Sequence, residues 1–147
     1  YISVTGVQTC ALPISGSIIV GALNQEGGKA YFSNFGSRVS IAAFGENLKT
    51  LFGPNGLMDK FGGTSGATPQ VAATVALMLE ANPNLTPEQI KAVLIATRHE
   101  TDGATTIGGQ LDASAAVTEA LATEPDMDLR ARQAALKAKV VSILRAR

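Results

Sequence analysis

The residue of this sequence most able to do chemistry is a serine in a glycine-rich segment just ahead of an apolar stretch. Ser65 follows Gly63 and Thr64 and precedes Gly66, and a helical apolar pattern covers residues 67–81. At the start of a helix, its hydroxyl would lie beside unpaired backbone N–H groups and the positive end of the helix dipole, which suit an oxyanion. Such a serine is more often only a helix cap, so the pattern by itself leaves both interpretations open.

A serine hydroxyl is a weak nucleophile at neutral pH and needs a base within reach. The sequence has a single histidine, His99, which follows the second predicted helix. This placement favours an exposed histidine at a helix C-terminus, where the dipole stabilises its charge, over a catalytic base. Asp59 is close to Ser65 along the chain, but nothing in its surroundings indicates that it orients a base. The residues by themselves therefore show no base for Ser65 and leave its role open.

The elements that would position Ser65 are predicted from apolar patterning. Residues 17–23 and 39–43 are short continuous apolar runs, typical of strands buried on both faces of a parallel sheet. Residues 51–66 are rich in glycine, which predicts a loop that can approach a ligand closely. Residues 67–81 are apolar on all sides, which predicts a buried helix, with Pro69 in or near its first turn.

Two further helices have clear N-terminal signals. Thr86 as N-cap, Pro87 at the first helical position and Gln89 two residues later form a capping box. Asp112 predicts the cap of a third helix over residues 113–122. The inner face of the second helix is predicted to consist of Ile90, Val93, Leu94 and Thr97.

The surroundings of Ser65 resemble a known family. Residues 63–72 read GTSGATPQVA, which resembles the nucleophile signature G-T-S-x-A-x-P-x-V-A of the subtilisin-like serine proteases (subtilases, peptidase S8). Segments before it (19–22, 32–36 and 39–45) and after it (82–91 and 109–117) match that family in order, so the resemblance covers about residues 16–122. The family often has proline where Phe44 stands and histidine where Gln70 stands. These departures bear on the subfamily, since neither position is the nucleophile.

The resemblance implies an α/β fold, a mostly parallel sheet flanked by helices, of which this chain holds the C-terminal portion. It implies a serine endopeptidase that cleaves peptide or protein substrates through an acyl-enzyme on Ser65, whose own N–H is one oxyanion donor. The chain order in the family is Asp, His, Ser, and no histidine precedes Ser65 here. The family's asparagine oxyanion donor would also fall before residue 1. We therefore expect proteolysis by a full-length parent and an inactive fragment.

Two alternatives stay open beside this prediction. One is a non-catalytic relative or fragment that acts as an interaction module, and the other is an unrelated α/β domain in which Ser65 caps a helix. Under the first prediction, the partner of this chain is the missing N-terminal half of its own domain. Without that half, the chain should expose a sheet edge and apolar surface and should aggregate. The resemblance also implies secretion, whereas substrate-binding residues cannot be assigned from the sequence.

Composition bounds the partners and cofactors. The 147 residues make up one domain's worth of sequence, and twelve basic and twelve acidic side chains cancel, which argues against a nucleic-acid partner. The apolar runs are too short to span a bilayer. Cys10 is the single cysteine, so no disulfide framework or Cys/His metal set is predicted. Calcium is common in the family, but no loop here has its ligand pattern, and we expect no cofactor.

The chain divides into three predicted parts. Residues 4–14 read VTGVQTCALPI and resemble a translated sequencing adapter, so residues 1–14 are interpreted as an artefact rather than as a short strand. Residues 15–123 form the expected peptidase portion. Residues 124–147 form a basic tail with one apolar helical stripe, for which packing on the domain surface is favoured over binding to an anionic membrane.

Overall fold

A computed structural model describes residues 17–54, 56–101 and 107–124, together with residues 131, 135, 138 and 139 of the tail. The predicted adapter segment and most of the tail lie outside the described residues. The strands are Val20–Leu23 (β1), Ile41–Phe44 (β2), Leu48–Phe52 (β3) and Gly56–Phe61 (β4). The helices are Thr64–Ala81 (α1), Pro87–Thr97 (α2) and Ala113–Ala122 (α3).

The two predicted buried strands form a parallel pair at the centre of the core. β1 and β2 run side by side, from Val20 opposite Ile41 to Leu23 opposite Phe44. On the other edge of β2, the backbone of Ala42 bonds Gly109 and Leu111 at 2.9 and 2.8 Å, which continues the parallel arrangement. Continuous apolar sequence gives strands that can be covered on both faces. Helix α1 packs on both strands of this pair, α3 packs on α1, and α2 packs on α3. The α/β prediction is confirmed.

The outer edge of β1 is less open than the sequence predicts. The N–H of Ala22 donates to Ser33 Oγ at 2.8 Å, and its C=O accepts the N–H of Ala30 at 3.0 Å. The N–H of Asn24 donates to the C=O of Gly28 at 2.9 Å. The chain after β1 therefore folds back and satisfies these edge groups itself, so the expected exposed sheet edge is wrong at these positions.

The prediction of a loop over residues 51–66 is wrong for most of that segment. β3 and β4 form an antiparallel hairpin with an irregular register between Leu48 and Thr50. The glycines lie at its turn and beyond its end, with Gly53 at a φ of 66° at the tip. Glycine count alone misled the prediction, because the residues between the glycines are able to form strands. Asp59 pairs with Lys49 across this hairpin at 3.4 Å, with both side chains exposed.

Helix α1 begins three residues earlier than predicted and is buried along one side only. Its buried residues are Gly66, Ala67, Val71, Thr74 and Met78, which face β1, β2 and α3. The opposite side includes Ala72, Ala76 and Leu77 and is exposed, with Leu77 at 52%. The prediction of burial on all sides is wrong in this structure, since the described residues supply packing partners for only half of an apolar helix.

The caps of α2 and α3 form as the sequence predicts. The N–H of Gln89 donates to Thr86 Oγ1 at 3.1 Å, and the N–H of Thr86 donates to Gln89 Oε1 at 3.0 Å. Asp112 accepts the N–H of Ala115 at 2.8 Å. Of the predicted inner face of α2, Thr97 is half-buried and the other members are buried. Of the helices in the described residues, none has the length and apolar character needed to cross a membrane.

Candidate active site

Ser65 is the second residue of α1 and is exposed at the open end of that helix. The N-cap is Gly63, whose positive φ of 88° favours glycine, and it has no side chain to cap the helix. Its C=O accepts the N–H groups of Gly66 and Ala67 at 2.9 and 3.4 Å. Within the described residues, neither the N–H nor the hydroxyl of Ser65 makes a hydrogen bond. Ser65 therefore does not cap α1, and its N–H and hydroxyl have no hydrogen-bond partner among the described residues at this exposed helix end.

Close backbone contacts hold this helix end against the carboxyl ends of β1 and β2. The N–H of Gly63 donates to the C=O of Gly45 at 2.7 Å, and the N–H of Gly45 donates to the C=O of Leu23 at 2.8 Å. A Cβ on Gly45 would lie 2.7 Å from the Cβ of Ala22 and 3.0 Å from the carbonyl oxygen of Gly63. Only glycine fits there. Ser65 thus stands at the carboxyl edge of a parallel sheet, where α/β proteins bind their ligands.

The hairpin packs beside the same helix turn. A Cβ on Gly66 would collide with Leu48 Cδ1 and would lie 3.4 Å from the Phe61 ring, so the base of the hairpin fills the space next to Ser65. Farther along the hairpin, Leu51 and Leu57 are 80% and 67% exposed. The hairpin that the sequence failed to predict is therefore an element of the site.

His99 is joined to another part of the fold. Its Nε2 lies 2.8 Å from Asp112 Oδ2, and its backbone pairs with Gln110 at 2.9 and 2.8 Å. The N–H of Ala115, followed by His99, holds the pKa of Asp112 below its usual value. In the described part of the chain no hydrogen bond or ion pair links His99 to Ser65. The contact between His99 and Asp112 joins the segment after α2 to the N-cap of α3. The sequence alone did not predict this contact.

Gln70 is the site residue whose contacts the sequence analysis missed. Its Nε2 lies 2.6 Å from the C=O of Phe44 and 2.8 Å from the C=O of Gly66. The sequence singled out both Phe44 and Gln70 as departures from the resembled family. Both positions differ from the usual family residues, and the two residues are in contact in the structure. This paired difference is the sequence signal that could have predicted the contact.

The family of the chain follows from a comparison of its whole length with family models. The model of the subtilase family, peptidase S8, matches residues 6–126. The chain belongs to the subtilase family. The match spans the parallel pair, the hairpin and all three helices, and it begins within the segment that resembles an adapter.

Individual relatives of this subtilase are proteases. Subtilisin E of Bacillus subtilis (strain 168) is 37% identical over 81 residues, which cover 55% of this chain and 21% of the relative. A protease structure from Pseudoalteromonas arctica matches with 32% identity and a TM-score of 0.60, covering 72% of this chain and 36% of the other. The patellamide maturation protease PatA matches with 27% identity and a TM-score of 0.63, covering 76% and 45%. The chain thus spans about a fifth of subtilisin E and less than half of these structures.

No metal cluster accompanies this site in the described residues, where no three His, Cys, Asp or Glu side chains are placed to hold an ion. The groups that surround the helix turn of Ser65 are instead the backbone of Gly45 and Gly63, Gly66 and the Gln70 amide. This arrangement can offer a nucleophilic oxygen and N–H donors for developing negative charge, which are two of the requirements of acyl transfer.

Proposed function

We propose that this subtilase chain is the C-terminal part of a serine endopeptidase domain and that Ser65 forms its acyl-enzyme. One observation carries the proposal: Ser65 is exposed, with an unbonded N–H, at a helix end at the carboxyl edge of the parallel pair. Family membership and the protease relatives support proteolysis as the reaction class. The substrates would be peptides or proteins.

The proposed reaction uses the groups around Ser65 as follows. Its Oγ attacks the carbonyl carbon of the scissile peptide bond and gives up its proton to a base. The carbonyl oxygen becomes an oxyanion, which the N–H of Ser65 and the positive end of the α1 dipole stabilise. The C–N bond then breaks, the amine leaves with the proton from the base, and water later hydrolyses the ester. The glycines around Ser65 leave room for the substrate backbone.

The base and the residue that orients it are proposed to come from upstream. The family order of Asp, His and Ser places both before the nucleophile, and His99 is engaged with Asp112 instead. The exposed apolar side of α1 supports this proposal, because it offers a packing surface for a further part of the domain. Loss of the base in a triad costs about a millionfold in rate, so the 147-residue chain alone would be essentially inactive.

The domain limits and location belong to the same proposal. Residues 15–123 are assigned to the peptidase domain, and residues 124–147 are assigned to a basic helix that packs on its surface. Secretion of the parent protein is proposed on the family resemblance. Sequencing the gene across residues 1–15 tests whether the adapter-like segment is native.

The decisive experiment is covalent labelling with a fluorophosphonate probe. The longer protein that carries this chain together with its natural upstream segment is treated with the probe, and the modified residue is located by mass spectrometry. We expect modification at Ser65, no modification of Ser65→Ala, and about a millionfold slower labelling of the 147-residue chain.

Ser114 offers a matched control for this labelling. It is also the second residue of its helix and is exposed, but Asp112 caps that helix. Ser114→Ala should label like the parent. An unreactive Ser65 in the longer protein would refute the nucleophile assignment. If the upstream Asp and His positions were also replaced, the second candidate, a non-catalytic interaction module, would be favoured.

A further inference from the structure

Gln70 connects the helix turn of Ser65 to the end of a central strand. It lies five residues after Ser65 on α1, and its side chain leaves the helix to reach the last residue of β2. The Nε2 group carries two hydrogens, and it lies 2.6 Å from the C=O of Phe44 and 2.8 Å from the C=O of Gly66. One amide group thus bridges the sheet and the opening turn of the helix.

The helix turn needs such support because of a proline. In an α-helix the C=O of Ser65 would accept the N–H four residues later, but Pro69 occupies that position and has no N–H. Its ring also presses toward that carbonyl. The carbonyls on either side of it each accept a side-chain hydrogen bond: Thr68 Oγ1 donates to the C=O of Thr64 at 2.8 Å, and Gln70 Nε2 donates to the C=O of Gly66 at 2.8 Å. The turn that carries Ser65 is therefore held in part by side chains.

The C=O of Phe44, at the end of β2, also requires a hydrogen-bond donor. Ala42 and Phe44 point their backbone groups to the same side of β2, because alternate residues of a strand do so. Gly109 and Leu111 bond the backbone of Ala42. The C=O of Phe44 lies beyond that contact and accepts from Gln70. The bond satisfies a strand-end carbonyl and at the same time fixes the distance from β2 to α1.

We infer that Gln70 is a positioning residue for the Ser65 nucleophile. The inference rests on the proposed function. The bond between Gly63 and Gly45 holds the start of α1 to the sheet through the backbone, and Gln70 holds the following turn from the other side of Ser65. Together these contacts determine where Oγ stands relative to the sheet edge. Loss of the Gln70 bridge would let the turn shift around Pro69, and displacement of a reacting group by about 1 Å can cost about a hundredfold in rate.

The test measures acylation in the longer protein that carries the natural upstream segment. Fluorophosphonate labelling rates and the kcat and KM for a peptide substrate are compared among the parent, Gln70→Leu and Gln70→His. Gln70→Leu keeps the apolar part of the side chain but donates nothing. Gln70→His restores one ring N–H that can donate to a single carbonyl. The matched control is Thr74→Val, which removes a part-buried 3.0 Å bond from Thr74 Oγ1 to the C=O of Gln70 and leaves the bond from Gln70 to Phe44 in place.

For Gln70→Leu we expect a fall of about ten- to a hundredfold in kcat and in labelling rate, with KM changed less than about twofold. Gln70→His should recover part of the rate, and Thr74→Val should retain the parent rate even if its unfolding midpoint drops. A folded Gln70→Leu that labels at the parent rate would overturn the inference. If Gln70→Leu does not fold, the test depends on Gln70→His. A kcat of Gln70→His equal to or above that of the parent overturns the inference, and a lower kcat with an unchanged KM supports it. An unreactive parent would refute the proposed function itself and the inference with it.

Discussion

Replacing Gly45 by alanine should separate the start of α1 from the sheet. The added methyl group would lie 2.7 Å from the Cβ of Ala22, which is 0.7 Å short of the 3.4 Å at which ordinary contacts begin. Neither neighbour can move aside, since Ala22 is a fully buried strand residue and the second contact is the backbone oxygen of Gly63. Overpacking of this kind costs about 1–3 kcal/mol, whereas alanine gains only about 0.4–1 kcal/mol from the less flexible unfolded chain. We expect a net loss of about 1–2 kcal/mol.

The assay is urea unfolding followed by pulse proteolysis at a low chain concentration, where association through exposed apolar surface is suppressed. A loss of this size lowers the urea midpoint by about 0.5–1 M for an m-value of about 2 kcal/mol/M. Gly28→Ala is the matched control, because its Cβ would meet nothing closer than the Asn24 side chain at 3.5 Å. The control should keep the parent midpoint or exceed it slightly.

A Gly45→Ala midpoint equal to that of the parent would refute this account of the contact. In the longer protein the same substitution should also slow labelling of Ser65, because Gly63 bonds Gly45 directly.

Two further predictions concern the helix junction and the hairpin. The pKa of Asp112 is lowered in the folded chain, chiefly by the N–H of Ala115, so its contribution to the free energy of unfolding is present above its unfolded pKa and is lost as pH falls through the folded value. The stability advantage of the parent over Asp112→Asn should therefore shrink as the pH falls into the acid range in which aspartate takes up a proton, and a difference in urea midpoint that stays constant into that range would contradict this. The exposed Leu51 and Leu57 should promote self-association of the 147-residue chain, which Leu51→Lys with Leu57→Lys should reduce in sedimentation velocity. A monomeric parent chain at micromolar concentration would contradict that prediction.

Local signals in the sequence predicted the starts of α2 and α3 correctly. The Thr86 capping box and the Asp112 cap form as expected because their partners lie three residues away, within the reach of a short polar side chain. The segments 17–23 and 39–43 correctly predicted the two strands, although both strands begin later than predicted and β2 ends one residue beyond its segment. Their continuous apolar composition is typical of strands that are buried on both faces of a sheet.

Other features depend on contacts between residues distant in the sequence. The hairpin was missed because the glycines of residues 51–66 dominate that segment, whereas strand pairing is decided by the partner strand. The contact of His99 with Asp112 and the bridge from Gln70 to Phe44 join residues 13 and 26 positions apart. No local pattern encodes such pairs.

The sequence by itself determined the identity of the nucleophile candidate, the order of the elements around it and the resemblance to subtilases. These depend on motif, periodicity and capping, which act over a few residues. Tertiary structure alone decided that Gly63 rather than Ser65 caps α1, that Gly45 and Gln70 fix this helix to β2, and that one side of α1 stays exposed. The physical reason is that exposure and close backbone approach depend on which chain segments meet in space.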